Sequence, residues 1–347
     1  MKNNIVLLVL LFIAIVACQQ SNVSIDTFDK VSEITVYDSI YSDEEDALGV
    51  ITDIEIWGDV LVAKHMRDEY SFSFISVANG KLIQRWGKRG EGRDEFLDFG
   101  SGFTIKDSLL VFVEQMKKSI NYASIQDILN ARSIINIVKE NYPYNVDFRP
   151  MRFCFLDNQK VAVGAFKEGR LGVLDSNNNI VDCYYDYPFN CGKVEGLYRG
   201  SVFQCDIKSN KKHDMFAIST YVSDVFEIFQ VSDDGIHRIF VSPFRNEPKI
   251  WEKGGRFAID YDNCIAGLMK MAVSDDLICF TYSSLSYTEA AAKDITSKEI
   301  LCFNWKGEKV KKYILPFPIS NFCVDEHYIY GVRYFDDKTV IYRFGLS

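Results

Sequence analysis

Four arginines, Arg93, Arg149, Arg199 and Arg256, recur along the chain, each in a loop-like stretch shortly before a strand-like run. Arg89 and Arg245 lie in the same loops, and aromatic residues accompany them: Phe96, Phe99, Tyr142, Tyr144, Phe148, Tyr198, Trp251 and Phe257. A guanidinium fork grips carboxylate or phosphate through two parallel hydrogen bonds. An aromatic face offers a large, rigid surface with a preferred stacking geometry. Together these residue types describe recognition of an anionic or sugar-containing ligand, or of an acidic partner segment. Arg93, Arg149, Arg199, Arg256, Tyr144 and Trp251 are the candidate contacts. The plainer alternative pairs each arginine with a nearby carboxylate such as Glu91, Asp94, Asp147 or Glu195. Exposed pairs of that kind contribute only about 0–1 kcal/mol each.

Catalytic spacings are scarce. The histidines, His65, His213, His237 and His327, never fall four apart, so the zinc-hydrolase pattern is missing. No G-x-S-x-G, P-loop or dinucleotide fingerprint occurs. Gly87-Lys-Arg-Gly-Glu-Gly92 lacks the Lys-Ser/Thr and the helix that a phosphate loop needs. No catalytic residue, metal or cofactor is therefore expected. The chain has 48 acidic against 39 basic residues, a net charge of −9. Nucleic-acid binding rests on neutralising phosphates, so nucleic acid is not an expected partner.

The first residues carry a different chemistry. Lys2 precedes an uncharged apolar stretch from Ile5 to Val16, which suits a signal peptide and falls short of the ~20 apolar residues of a membrane span. The stretch ends in Ile15-Val16-Ala17-Cys18, which resembles the lipobox of bacterial lipoproteins. That resemblance implies cleavage after residue 17 and acylation of Cys18, anchoring the protein to the membrane. Two or more chains hold stably, at about 0.8 kcal/mol per buried CH₂. Gln19 in the second mature position favours the outer membrane, and the lack of an acidic cluster before Asp26 favours its periplasmic face. Residues 18–30 read as a lipidated tether. Eight cysteines remain. Cys183 and Cys191 flank one loop and are the candidate disulfide, whereas Cys279, in Leu277-Ile-Cys-Phe280, reads as a small buried hydrophobe like most of the others.

The elements that must position these residues are short β-branched and aromatic runs separated by Gly, Asn, Asp and Ser. They fall into sets of four whose first strands start at 51, 102, 151, 201, 267 and 320. Asn79-Gly80 marks a tight hairpin. Runs such as Leu109-Leu-Val-Phe-Val113 are continuously apolar, as strands buried on both faces must be. The one long interval holds an insertion at Pro243–Asn263. Ser286 and Glu289 form a capping box for a short helix, and Ile125–Arg132 reads as another helical turn. The sixth set has three strands, and Val31–Asp38 is expected to supply the fourth and close the ring. The expected fold is an all-β six-bladed propeller over residues 31–347, with four-stranded blades; a pair of β-sandwiches is the competing architecture.

Trp86-Gly-Lys-Arg-Gly-Glu-Gly-Arg-Asp-Glu-Phe96 resembles the G-x-G-x-G-x-x-x-F passage between blades of NHL-type propellers. With Cys18 and the six sets, the whole mature chain resembles the TolB-like six-bladed propeller lipoproteins of the Bacteroidetes. The resemblance implies a membrane-anchored envelope protein whose propeller is a non-catalytic binding module for a protein or small ligand. Some six-bladed propellers are instead lactonases holding Ca²⁺ at the bottom of the channel. Asp53, Glu55, Asp206 and Asn321 are the inner-strand residues available to such a metal-dependent hydrolase.

Overall fold

The computed structural model describes residues 24–346 except 43–47, 67, 93–94, 98–101, 133–134, 158, 211 and 336–337. Cys18, the signal segment and Arg93 lie outside the described residues. The chain forms six antiparallel blades around a central channel. Blade one is Val50–Trp57, Val60–Met66, Tyr70–Ser76 and Leu82–Lys88. Blade two is Phe103–Lys106, Leu109–Glu114, Ser119–Ser124 and Ile137–Asn141. Blade three is Phe148–Phe155, Gln159–Phe166, Leu171–Asp175 and Ile180–Tyr184. Blade four is Cys205–Ser209, Met215–Thr220, Phe226–Ser232 and Gly235–Val241. Blade five is Ile265–Val273, Leu277–Ser286, Ser297–Asn304 and Lys309–Ile319. Blade six takes Asn321–Val324, Tyr328–Tyr334 and Thr339–Gly345 from the end of the chain. The first strand of each blade is innermost.

Six apolar seams, one between each pair of neighbouring blades, hold the ring together. Phe72 and Phe74 of blade one meet Leu110 and Phe112 of blade two. Phe226 and Ile228 of blade four meet Phe280 and Leu301 of blade five. Ile51 and Leu61 of blade one meet Val332 and Ile341 of blade six, which closes the circle. The second strand of each blade thus buries both faces, as in Val60–Met66, where every residue but the last is buried. A fully buried Phe or Leu contributes about 1.5–3 kcal/mol by the area it removes from water.

The closing strand differs from the expected Val31–Asp38. Val31–Glu33 runs parallel to Lys309–Ile319 and adds a fifth strand to blade five. Tyr37–Ser42 pairs antiparallel with Thr339–Gly345 and completes blade six. One expected strand is two, because the chain steps from one blade to the next across Ile34, which is buried in the seam between blades five and six. Residues 24–30, expected as tether, also join the folded body. Ile25 and Phe28 enter the seam between blades four and five. The Lys309 ammonium donates to the Ser24 and Thr27 carbonyls at 2.7 and 2.8 Å.

Among the described residues three short helices interrupt the strands: α1 (Ile125–Leu129), α2 (Leu197–Val202) and α3 (Tyr287–Ala291). The cap read from the sequence at Ser286 and Glu289 is formed, and Ser124 caps the other turn. Ser124 accepts from the Asp127 N–H, and Ser286 and Glu289 satisfy each other's backbone donors. In contrast, α2 occupies the start of what reads as the fourth set, so the inner strand begins at Cys205 and not at Ser201. The insertion carries a hairpin of Ile250–Lys253 and Arg256–Ile259.

Candidate ligand-binding mouth and channel

The connections between blades share one end of the ring with the loops joining second and third strands. At this end α2, the inserted hairpin and α3 border one cavity of about 530 Å³. A satellite core fixes them in place: Phe189, Val202, Phe203 and Ile259 are buried together, with Phe257 and Tyr287 packed against them. Helix α2 lies flush on blade three, since a methyl group on Gly200 would collide with the Gly164 carbonyl. Aromatic pairs form the walls. Tyr198 of α2 meets Phe257 of the hairpin edge-on at 6.4 Å between centroids, and Tyr261 meets Tyr287 of α3 at 4.5 Å. Arg152, Tyr221 and Lys270 line the cavity from the channel side.

Below the mouth the channel narrows to about 100 Å³ between Asp53, Gly102, Arg152, Asp206, Lys270 and Asn321. Alternate residues of an inner strand point the same way. Asp53 and Glu55 therefore face the channel together from blade one, as Asp206 and Lys208 do from blade four. Arg152 reaches Asp206 at 3.3 Å, and Lys208 reaches Glu55 at 3.1 Å and Asp53 at 3.7 Å. The Arg152 guanidinium also lies 5.5 Å from the Tyr221 ring centre. Burial opposes the charge on Arg152, but Tyr221, Asp206 and Asp53 outweigh it and hold the guanidinium above its ordinary pKa. Lys208 is likewise raised, with burial overcome by Asp53 and Glu55. Burial pushes the Glu55 carboxyl and the Tyr221 hydroxyl up, so the phenol stays a hydrogen-bond donor.

Lys270 differs from its neighbours. Its side chain is accessible to channel water but ringed by protein, and among the described residues it makes no ion pair. Its hydrogen bond goes to the Thr52 carbonyl at 3.4 Å. Burial draws its pKa below the usual lysine value; Asp53 and Asp206 only partly restore it, and Arg152 and Lys208 push it further down. Among the described residues three cations, Arg152, Lys208 and Lys270, stand here with three carboxylates, Asp53, Glu55 and Asp206, and Lys270 is the cation without an ion pair. In a chain of net charge −9, the channel head keeps one ammonium outside any ion pair. It can hold an anion between a guanidinium fork and an ammonium, with ring faces above to stack on.

Five of the six loop residues proposed from sequence are described, and they occupy the surrounding rim. Arg149 is exposed at the start of blade three, opposite Ala165. Arg199 donates to Asp186 and to the Val194 carbonyl, both at 3.0 Å. Arg256 and Trp251 are exposed on the two arms of the inserted hairpin. Tyr144 is exposed with the Lys118 ammonium 4.6 Å above its ring. The cavity is lined by none of these five but by close neighbours: Arg152, Tyr198 and Phe257. Sequence reasoning missed Arg152, Lys208 and Lys270. Lys270 alone carried a signal, as the single charge in the otherwise apolar inner strand Ile265–Val273.

Asp53, Glu55, Asp206 and Asn321, the residues available to a Ca²⁺ hydrolase, do meet in the channel, but their chemistry does not fit a metal. Arg152 and Lys208 engage the three carboxylates, and the Asn321 amide donates to the Ile51 carbonyl at 2.9 Å. Among the described residues no three His, Cys, Asp or Glu side chains are placed to hold a metal ion.

A family model for TolB-like six-bladed propellers matches residues 30–327. The chain belongs to the TolB-like six-bladed propeller family. This TolB-like propeller shares its fold with a Bacteroides fragilis protein described as exported, at 11% identity and TM-score 0.54, with 92% of this chain and 99% of that one covered. A member of the DUF4221 family from Bacteroides vulgatus gives 9% identity and TM-score 0.52, with 90% and 96% covered. The propeller domain of Cps50 (Swd1) from Myceliophteria thermophila gives 9% and 0.51, with 90% and 100% covered. No curated protein matches the chain. No helix among the described residues is long and apolar enough to cross a membrane.

Proposed function

We propose that this TolB-like propeller is an envelope lipoprotein, held at the periplasmic face of the outer membrane through Cys18, and that its mouth is a non-catalytic binding site for an anionic ligand bearing a sugar or aromatic ring. The observation that carries the binding reading is a guanidinium, and an ammonium outside any ion pair, under aromatic walls: Arg152 and Lys270 below, the Tyr198–Phe257 and Tyr261–Tyr287 pairs above. A cavity of about 530 Å³ suits a small ligand or the tip of a partner, within the roughly 300–1,000 Å³ usual for such sites. The rim residues Arg149, Arg199, Arg256, Tyr144 and Trp251, with Arg93, would steer an anion toward the mouth and touch its outer parts. Binding of this kind asks for no cofactor. Ca²⁺ would enter only through the hydrolase alternative, whose carboxylates are already engaged.

The membrane anchor is supported by the Ile15–Cys18 stretch and its signal-like leader, and by a structural relative that is itself described as exported. Globomycin treatment should leave an unprocessed precursor, and Cys18→Ser should leave the detergent phase; unchanged processing and partition would refute the anchor. For the mouth, thermal-shift screening should pair uronic acids, sugar phosphates and aromatic carboxylates with their neutral counterparts. The anions should stabilise the wild type and not an Arg152→Met/Lys270→Met variant. Equal shifts from neutral analogues would overturn the reading.

A further inference from the structure

We propose that Cys279 and Cys302 are a disulfide in the mature protein, stapling the second and third strands of blade five. The two residues are direct cross-strand partners. Opposed residues of an antiparallel pair have Cα atoms about 4.5–5.5 Å apart, inside the roughly 4.4–6.8 Å that a disulfide spans. Their sulfurs stand 2.8 Å apart. Even non-bonded carbons settle at about 3.5–4.0 Å, so two thiols at this distance are crowded in a way that a bond would relieve. Both residues are fully buried in the seam between blades five and six. Among the described residues they are the one cysteine pair in contact through their sulfurs. All eight cysteines among the described residues, Cys279 and Cys302 included, are free thiols in this structure, and Cys183 and Cys191, the loop pair expected from sequence, have no sulfur contact with each other.

The oxidant is an external disulfide of the thiol–disulfide exchange class. One cysteine thiolate attacks it, giving a mixed disulfide and releasing the first thiol. The second cysteine thiolate then attacks its partner's sulfur, closing the Cys279–Cys302 bond and releasing the second thiol. Two protein S–H bonds are lost, and the oxidant leaves as two thiols. Because burial pushes the Cys279 thiol well up and no solvent reaches either sulfur, exchange takes place before blade five closes or when its strands open. The bond is then sealed against reduction. Its position matters because the same blade carries the added strand Val31–Glu33 through which the N-terminal segment joins the body.

The proposal rests on export to an oxidising compartment, and its test separates the two ideas. Protein recovered from the envelope, and protein made without residues 1–17 and refolded in a glutathione redox buffer, are denatured, alkylated and mapped by mass spectrometry without reduction. Both should give a linked peptide joining residues 279 and 302, two hydrogens lighter than the separate peptides. Reductant should lower the melting temperature of the wild type and leave that of a Cys279→Ala/Cys302→Ala variant unmoved. Alkylated Cys279 and Cys302 in the refolded sample, or linkage to other cysteines, would overturn the disulfide. A link in the refolded sample with free thiols in the envelope sample would overturn the export reading and leave the pairing standing.

Discussion

Two clusters of charge lie about the same ring, and they are built to opposite ends. Between blades three and four, Arg170 and Glu227 meet at 2.7 Å with side chains 1% and 0% exposed. Arg170 also donates to Thr220 at 2.7 Å and lies 4.7 Å from the Tyr187 ring centre, while Arg238 reaches Glu227 at 3.0 Å. Every charge there has a partner, and no ligand can enter. In the channel, Arg152 and Lys270 line the cavity at the mouth, and Lys270 has no carboxylate of its own. A sealed, matched cluster holds two blades in register. An open, unmatched one is left with binding capacity. The difference predicts opposite responses to mutation in the two places.

The largest effect belongs to the sealed pair. Glu227→Ala strands Arg170 in the core and should cost about 3–5 kcal/mol, measured by urea unfolding, with ligand affinity of the folded fraction unchanged. A loss under ~1 kcal/mol would show that the seam is wetter than described. Lys270→Met should move stability the other way, up or not at all, because it removes an under-hydrated ammonium.

Acid tests another sealed group. His65 is 1% exposed and bonded to Ser73 at 2.8 Å. Burial, the largest cause, lowers its pKa from 6.5 to about 4. The folded value lies below the unfolded one, so between about 4 and 6.5 the unfolded chain takes up the extra proton. Stability should therefore fall as pH drops through that window, by about 3 kcal/mol at roughly 1.4 kcal/mol per pKa unit. His65→Gln should flatten the dependence in urea titrations at pH 7 and 4.5. Equal slopes for wild type and variant would remove His65 as the cause.

At the mouth the effects appear in affinity. Tyr198→Ala or Phe257→Ala should weaken binding of a ring-bearing anion about tenfold, a loss near 1.4 kcal/mol, with little effect on a plain anion such as phosphate. Binding should also decline on raising pH earlier than an ordinary lysine would dictate, because the Lys270 pKa is depressed. The smallest effect is at the rim. Arg149→Ala with Arg199→Ala should change stability within about 0.5 kcal/mol and act mainly on the association rate and its salt dependence.

Much of this architecture is legible in the letters. Leu109-Leu-Val-Phe-Val113 reads as a doubly buried strand because stacked blades leave no solvent face. Asn79-Gly80 reads as a turn, and Gly80 does take a left-handed φ of 68°. The Ser286–Glu289 cap is local chemistry and forms as read. What escaped is non-local. Whether Val31–Asp38 is one strand or two depends on which blades lie beside it. Helix α2 lies across the end of a stretch that reads as loop and the first residues of one that reads as strand, and Gly196 before it breaks the chain with φ 51°. Asp53 and Asp206 could be placed on inner strands, but their partners Lys208 and Arg152 come from other blades. Cys279 and Cys302 become a pair only once the register of blade five is known. Every departure from the four-strand rule between residues 197 and 291, namely α2, the inserted hairpin and α3, borders the same mouth, so the irregular segments mark the site better than any motif does.

The most direct test of the central claim is calorimetric titration of a ring-bearing anion, chosen from the thermal-shift screen, into wild type and the Arg152→Met/Lys270→Met variant, with its neutral analogue alongside. The account predicts at least a hundredfold loss of affinity for the anion in the variant and weak, equal binding of the neutral analogue to both proteins. Equal affinity of wild type and folded variant for the anion would contradict it.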